Sequence, residues 1–287
     1  MVRTKLNEIL SLAVKILAKQ NLSRPNYESK IIMSEIISKD LLEMFVNPHL
    51  KISERKKRIF LKKIFSRSLG KPISKIFGRK EFYSNEFYVN NYTLDPRPES
   101  ELIIDVVKKI EREKNNKELD VLDLGVGSGC LLISLVKELC KKKEVFGTGI
   151  DISSEALKVS RKNVLKFGFQ NRIKVLKSDW FSKINSKFDV IISNPPYIDE
   201  KYISKLDDEV KYFDPLIALN GGDGGLQAYE SISQKSYKFL KSDGYICLEI
   251  GKGQKKNVEI LFNKGGLRKI YDFKDLYGID RILVFKK

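Results

Sequence analysis

The sequence predicts an α/β protein with a doubly wound, mostly parallel sheet, preceded by a small helical domain. Three observations carry this. From residue 96 onward, short apolar segments alternate with amphipathic ones, the βαβα order that builds a parallel sheet with helices on both faces. The run Phe188 to Ser193 is almost continuously apolar, as a strand buried on both faces is, and it stops at Pro195-Pro196, which cannot continue a central strand. Before residue 77 the apolar residues instead recur three and four apart, the helical period.

Composition sets the bounds. With 287 residues the chain is long enough for one large domain and a small one, and 42% hydrophobic content fits a sizeable core. No apolar stretch is long enough to span a bilayer, and the amino-terminal residues lack a signal-peptide layout, so a soluble, cytoplasmic protein is expected. The three cysteines, Cys130, Cys140 and Cys247, fall in helix or strand interiors without close spacing, which argues against a disulfide framework or a zinc site. The only histidine, His49, follows Pro48 in a turn and supports neither a catalytic triad nor a metal site; the chemistry must run without histidine as base. The net charge is +17, and residues 1–76 hold 17 Lys and Arg against 6 Asp and Glu. That excess suits an acidic partner or nucleic acid, or reflects compositional bias toward lysine.

Taken in order, Leu6, Ile9, Leu10, Ala13, Ile16 and Leu17 form the stripe of a first helix. Ser23 is placed to cap a second, with Tyr27, Ile31 and Ile36 on its apolar side. Asp40 opens a short third helix and Ser53 a fourth, which Gly70 and Pro72 close. The cluster Arg55-Lys56-Lys57-Arg58 on that fourth helix is a solvated face or a contact patch. The period then changes: Glu81-Phe82-Tyr83 and Phe87-Tyr88-Val89, around Ser84-Asn85-Glu86, read as a β-hairpin. Pro96-Arg97-Pro98 is extended, and Glu99 to Arg112 is helical with acidic residues in its first turn, either a capped start or a lid.

Asp120 to Leu124 is a buried strand that runs into Gly125-Val126-Gly127-Ser128-Gly129 and then a helix from Cys130 to Cys140. Glycines there permit a tight turn and close backbone approach to a ligand at the helix start. The spacing differs from the dinucleotide fingerprint, and no P-loop lysine is present. A second strand, Val145 to Ile150, ends at Asp151, about 20 residues past the glycine turn, where a carboxylate accepts from ribose hydroxyls. Capping the next helix is the competing reading of Asp151. A third strand, Ile173 to Leu176, leads to Asp179 and Trp180, an acceptor and an apolar face for an adenine ring, or simply a core aromatic under a loop. Beyond the fourth strand come a helix over Lys201 to Tyr212, a glycine-rich loop from Gly221 to Gly225, a helix from Leu226 to about Leu240, a strand Tyr245 to Ile250, a helix Gln254 to Phe262, and strands Lys269 to Phe273 and Arg281 to Phe285.

The fourth strand delivers Asn194-Pro195-Pro196-Tyr197 to the carboxyl edge of the sheet, where open α/β sheets bind ligands. The prolines carry no N–H, so the turn offers carbonyl acceptors, and Asn194 adds a side-chain carbonyl. Two adjacent acceptors suit one planar –NH2 group, and Tyr197 can lie against a planar substrate. Holding both hydrogens draws electron density back onto a delocalised nitrogen as it attacks. A local cap is the plainer alternative for Asn194.

With these residues in place, the chain resembles class I S-adenosylmethionine-dependent methyltransferases from Asp120 onward. More narrowly, it is similar nearly end to end to the HemK/PrmC family, which methylates the side-chain amide (N5) of a glutamine in class 1 peptide chain release factors. The motifs that carry this are Pro96-Arg97-Pro98-Glu99-Ser100-Glu101, Asp123 to Gly129, Asp179-Trp180-Phe181, Asn194 to Ile198, Leu248-Glu249-Ile250-Gly251 and Gly278-Ile279-Asp280-Arg281. Asp95 and Asp214 depart from the family pattern, at positions expected to affect lid packing at most. The resemblance implies a seven-stranded Rossmann-like sheet with its last strand antiparallel. It divides the chain into a helical release-factor-binding domain at 1–76, a hairpin linker at 77–95 and a methyltransferase domain at 96–287. It implies S-adenosylmethionine as cofactor, no metal, and a monomer acting on release factors. Gly125, Val126, Gly127, Ser128, Gly129 and Asp151 would hold the cofactor's amino-acid part and ribose, with Asp179 and Trp180 near adenine; Asn194, Pro195, Pro196 and Tyr197 would grip the glutamine, with Asn194 also at the cofactor.

Two rivals compete. The exocyclic amine of adenine or cytosine presents the same –NH2 problem, which makes a nucleic-acid amino-methyltransferase the first; no sequence-reading domain supports it. The second is a cofactor-binding scaffold that docks on nucleic acid without catalysis, which the intact Asn194 to Tyr197 motif disfavours.

Overall fold

The computed structural model describes residues 4–20, 24–114 and 116–287; Ser23, expected to cap the second helix, lies outside them. The chain forms two compact units, Met1–Phe77 and Gly78–Lys287.

The first unit runs β1 (Thr4–Lys5), α1 (Leu6–Ala18), α2 (Pro25–Ile37), α3 (Leu41–Val46), β2 (Lys51–Ile52), α4 (Glu54–Ser68) and α5 (Ile73–Phe77). Its core is Leu6, Ile9, Ala13 and Leu17 of α1 against Ile32 and Met33 of α2 and Phe60 and Ile64 of α4. Asp40 closes a capping box: its carboxylate accepts from the Glu43 N–H while Glu43 accepts from the Asp40 N–H. Ser53 caps α4 by accepting from the Lys56 N–H. The face of α2 differs from expectation. Ile32, Met33 and Ile37 are buried, whereas Tyr27 is half exposed. Apolar residues surround much of this helix, so the period alone leaves its inward side ambiguous by one position. Arg67 is buried and donates from Nε (2.7 Å) and Nη2 (3.0 Å) to both Glu28 oxygens, joining α4 to α2.

The second unit begins with a hairpin, β3 (Arg79–Phe82) and β4 (Asn85–Tyr88). Its two-residue turn is Tyr83-Ser84, both at positive φ, rather than the three residues expected. That geometry normally calls for Asn-Gly. Here α6 (Glu101–Arg112) imposes it: Glu101 accepts from the Tyr83 N–H, Asp105 accepts from the Tyr83 hydroxyl, and Lys108 donates to it. These three residues share one helix face.

The remaining elements are β5 (Glu118–Leu124), α7 (Cys130–Leu139), β6 (Glu144–Asp151), α8 (Ser154–Lys166), β7 (Ile173–Lys177), β8 (Phe188–Ser193), α9 (Glu200–Ile203), α10 (Asp208–Phe213), α11 (Gln227–Phe239), β9 (Leu240–Glu249), α12 (Lys255–Lys264), β10 (Arg268–Lys274) and β11 (Asp280–Lys286). The helix expected over Lys201 to Tyr212 is thus two short ones. Seven strands form one sheet in the order β10-β11-β9-β8-β5-β6-β7. β11 pairs antiparallel with both its neighbours, and β5 to β9 are parallel. Alternate residues of each strand feed opposite cores. Val121, Val190 and Cys247 pack with α6, α7 and α8, while Leu122, Ile191 and Leu248 pack with α11 and α12.

Candidate active site

Strand register builds the site. β8 and β6 flank β5 on opposite sides, with Leu124 opposite Ser193 and opposite Ile150. Residues just past those pairs, Asn194, Gly125 and Asp151, therefore emerge side by side at the carboxyl edge, at a switch point of the sheet. Ile150 pairs with Leu176, so Asp179 and Trp180 follow two strands along. Ser193 donates to the Leu124 carbonyl at 2.6 Å, which locks the Asn194 strand end to the glycine-loop strand end.

A cavity of about 550 Å³ lies over this edge. Gly125, Val126, Gly127, Ser128, Asp151, Asp179, Trp180, Asn194 and Pro196 all line it. Gly129, Pro195 and Tyr197 do not line it. A Cβ on Gly129 would sit 2.8 Å from the Ser160 hydroxyl, so this glycine serves helix packing. Gly125 has φ of 81°, and a Cβ there would meet nothing within 4 Å, so the backbone is open to a ligand. The Ile150 carbonyl accepts from both the Gly125 and Val126 N–H groups, pinning the loop to β6. The Asp151 carboxylate accepts from the Gly127 N–H at 3.0 Å and the Ser153 N–H at 2.8 Å, while Ser153 itself caps α8. Burial raises the Asp151 pKa against the pull of those bonds.

Behind Asn194 sits a polar chain that sequence reading did not isolate. The Asn194 Nδ2 donates to Ser100 Oγ at 2.8 Å, and Ser100 Oγ donates to Glu249 Oε2 at 2.5 Å. The Tyr197 hydroxyl lies 3.5 Å from Glu249 Oε1. Glu249 is fully buried, and desolvation lifts its pKa to about 7 despite the Ser100 bond and nearby Arg281. Burial likewise moves Tyr197 to about 12, so this phenol stays protonated. Ser100 and Glu249 each lie within a motif visible in the sequence, but nothing local links the two.

The rest of the Asn194 turn is clamped. The Tyr197 carbonyl accepts from Gln254 Nε2 at 2.9 Å, and the Ile198 carbonyl accepts from the Gly221 N–H at 2.8 Å. Gly225, at φ of 70°, lies so close that a Cβ would be 2.1 Å from the Tyr197 oxygen. Across the mouth, Arg97 and the Asp95 N–H both donate to the Asp214 carboxylate, at 2.5 and 3.1 Å. The two departures from the family pattern therefore meet each other and join the segment before α6 to the one after α10.

Among proteins of known function, the chain is 31% identical to the release factor glutamine methyltransferase of Agrobacterium fabrum, over 96% of this chain and 95% of that one. It is 35% identical to the enzyme of the same name from Buchnera aphidicola, over 98% and 99%. This chain belongs to the release factor glutamine methyltransferase family. It also spans 56% of the longer bifunctional methyltransferase of Rickettsia prowazekii, at 36% identity. Residues 98–208 match the methyltransferase small domain family. Two solved structures share the fold. One is a methyltransferase from Pyrococcus furiosus, with a TM-score of 0.52 and 17% identity over 82% of this chain and 99% of that one. The other is the hMettl16 catalytic domain in complex with a MAT2A 3'UTR hairpin, with a TM-score of 0.57 and 15% identity over 79% and 81%.

As a member of this family the chain is an S-adenosylmethionine-dependent methyltransferase, and the site fits that cofactor. The open backbone at Gly125 and the Asp151 carboxylate in the same lining are what suit it, while Asp123 is buried beneath the glycine loop, outside the cavity lining, with both carboxylate oxygens lacking a hydrogen-bond partner. Desolvation and the neighbouring Asp151 push its pKa to about 8. Among the described residues no helix is long and apolar enough to cross a membrane.

Proposed function

We propose that this protein transfers a methyl group from S-adenosylmethionine to the side-chain amide nitrogen of a glutamine in class 1 peptide chain release factors. The observation that carries this is that Asn194 and the glycine loop line one cavity, with kinship over nearly the whole chain. The cofactor supplies a methyl on a positively charged sulfur. Gly125 to Ser128 cradle its amino-acid part, Asp151 takes the ribose hydroxyls, and Asp179 and Trp180 border the adenine; Gly129 supports the loop from behind. Asn194 Oδ1 and a carbonyl of the Pro195-Pro196 turn accept the two amide hydrogens, with Tyr197 backing the turn. The methyl would pass to the amide nitrogen as its bond to sulfur breaks, leaving neutral S-adenosylhomocysteine, and the nitrogen would give up one of its hydrogens as a proton to solvent. The chain contributes positioning and electrostatics rather than a histidine base.

The basic helical unit is the surface that receives the protein substrate in this reading, and residues 96–287 perform the transfer, in a cytoplasmic monomer. Exposed Leu42, Phe45 and Val46 on α3 lie within a unit of strong positive charge, which suits a folded acidic partner. Mass spectrometry of a release factor after incubation with enzyme and cofactor tests the reading. One added methyl on the glutamine of its Gly-Gly-Gln loop is expected, and methylation of DNA instead would refute it. Asn194→Ala should lower the rate by about 10²–10³, as loss of one partner from a preorganised site does; a near-wild-type rate would reject the assigned role.

A further inference from the structure

Asn194 must present its oxygen, not its NH2, to a substrate amide. Nothing in the Asn-Pro-Pro-Tyr turn itself decides which way the side-chain amide faces, since the two ends are nearly the same shape. The decision comes from behind. Ser100 has a single hydroxyl hydrogen and gives it to Glu249. It can then only accept from Asn194, which turns Nδ2 inward and leaves Oδ1 for the cavity. We infer that Ser100 and Glu249 are positioning residues that set the polarity of the Asn194 amide, and that an ionised Glu249 is the state that holds the acceptor toward the substrate.

The surroundings make this relay a committed one. Glu249 is 1% exposed, so water does not readily substitute for it, and Ser100, itself 4% exposed, stands between Glu249 and the cavity it lines. Groups on several elements set the charge balance around Glu249. Glu99 beside Ser100 disfavours the carboxylate, Arg281 at the start of β11 favours it, and the Tyr197 hydroxyl donates weakly. Tyr229 of α11 is engaged elsewhere, donating to the Glu249 backbone carbonyl at 3.0 Å. When Glu249 takes up a proton, its own O–H can donate to Ser100, and the serine hydrogen is freed to turn toward Asn194. The amide then favours the reverse orientation and offers a donor to a substrate that needs an acceptor. Methyl transfer should therefore rise with pH through about 7, the region where Glu249 ionises.

This inference rests on the functional reading above, and one readout is chosen to be independent of it. In 15N-asparagine-labelled protein, the Asn194 side-chain NH2 signal is assigned by its loss in Asn194→Ala. It should shift as pH crosses about 7 in the wild type and stay fixed in Ser100→Ala. In turnover at saturating cofactor, Ser100→Ala should lower kcat about 10–100-fold and flatten the pH profile, with cofactor Kd within about twofold. Ser100→Thr, which restores the hydroxyl, should recover to within about threefold of wild type. An Asn194 signal that ignores pH in the wild type, a Ser100→Ala enzyme with wild-type kcat, or a Ser100→Thr enzyme no better than Ser100→Ala would each overturn the relay. Wild-type protein that methylates no glutamine would refute the functional reading alone, because the labelled-amide titration needs no substrate.

Discussion

Asp123 is a buried carboxylate that weighs on folding as pH rises. Its carboxylate is buried without a hydrogen-bond partner and ionises near pH 8 rather than near 4. Because the folded-state pKa is raised, the unfolded chain releases this proton first. The penalty on folding is thus absent below about pH 4 and complete above about 8. Asp123→Asn should leave the cofactor-free protein equally stable at acid pH. Above about pH 8 it should be more stable than wild type by about 1–3 kcal/mol, read by denaturant titration. A variant destabilised at high pH would show that the carboxylate has an internal partner after all.

At the scale of elements, the glycine-rich loop from Gly221 to Gly225 acts as a mould for the Asn194 turn. Its backbone lies against Pro196 and Tyr197 where no side chain fits. In Gly225→Ala the new methyl would meet the Tyr197 oxygen at 2.1 Å, at a φ that disfavours any side chain. The turn must shift, and a displacement of that order costs about 10²-fold in kcat. Cofactor affinity, set by the glycine loop after β5, should stay within about threefold, as measured by calorimetric titration. Equal loss of both quantities would mean the two loops move as one. The hairpin follows a related logic: three residues of α6 hold Tyr83 in a turn conformation that its own side chain disfavours.

For the whole molecule, two compact units imply separable duties. A 78–287 fragment should fold and bind cofactor within about twofold of the full chain, yet methylate a release factor with kcat/KM reduced at least about tenfold; unchanged kcat/KM would remove the helical unit from substrate docking. What could be read without coordinates follows the same division by range. Local signals were legible: the apolar strand ending at Asn194, the glycine turn after Leu124, the caps at Asp40 and Ser53. Each is written within a few consecutive residues. The pairing of Ser100 with Glu249 was not, although each lies within a motif, because they are 149 positions apart and only the packed fold brings them together. The inward face of α2 is ambiguous in the sequence because its apolar residues leave no single stripe, and the Tyr83-Ser84 turn is illegible there because its cause lies in α6. The short β1–β2 pairing, Thr4 opposite Ile52, likewise depends on a partner nearly fifty residues away.

Asn163 of α8 adds a last connection. Its side chain accepts from the Tyr88 N–H and donates to both the Tyr88 and Ser128 carbonyls. The edge of the hairpin and the floor of the methyl-donor pocket thereby hang from one buried amide. Any tug on the hairpin reaches the donor's cradle without passing through the sheet. The Tyr88 amide proton accordingly becomes a remote gauge of that cradle, slowing its exchange with solvent when the donor is seated.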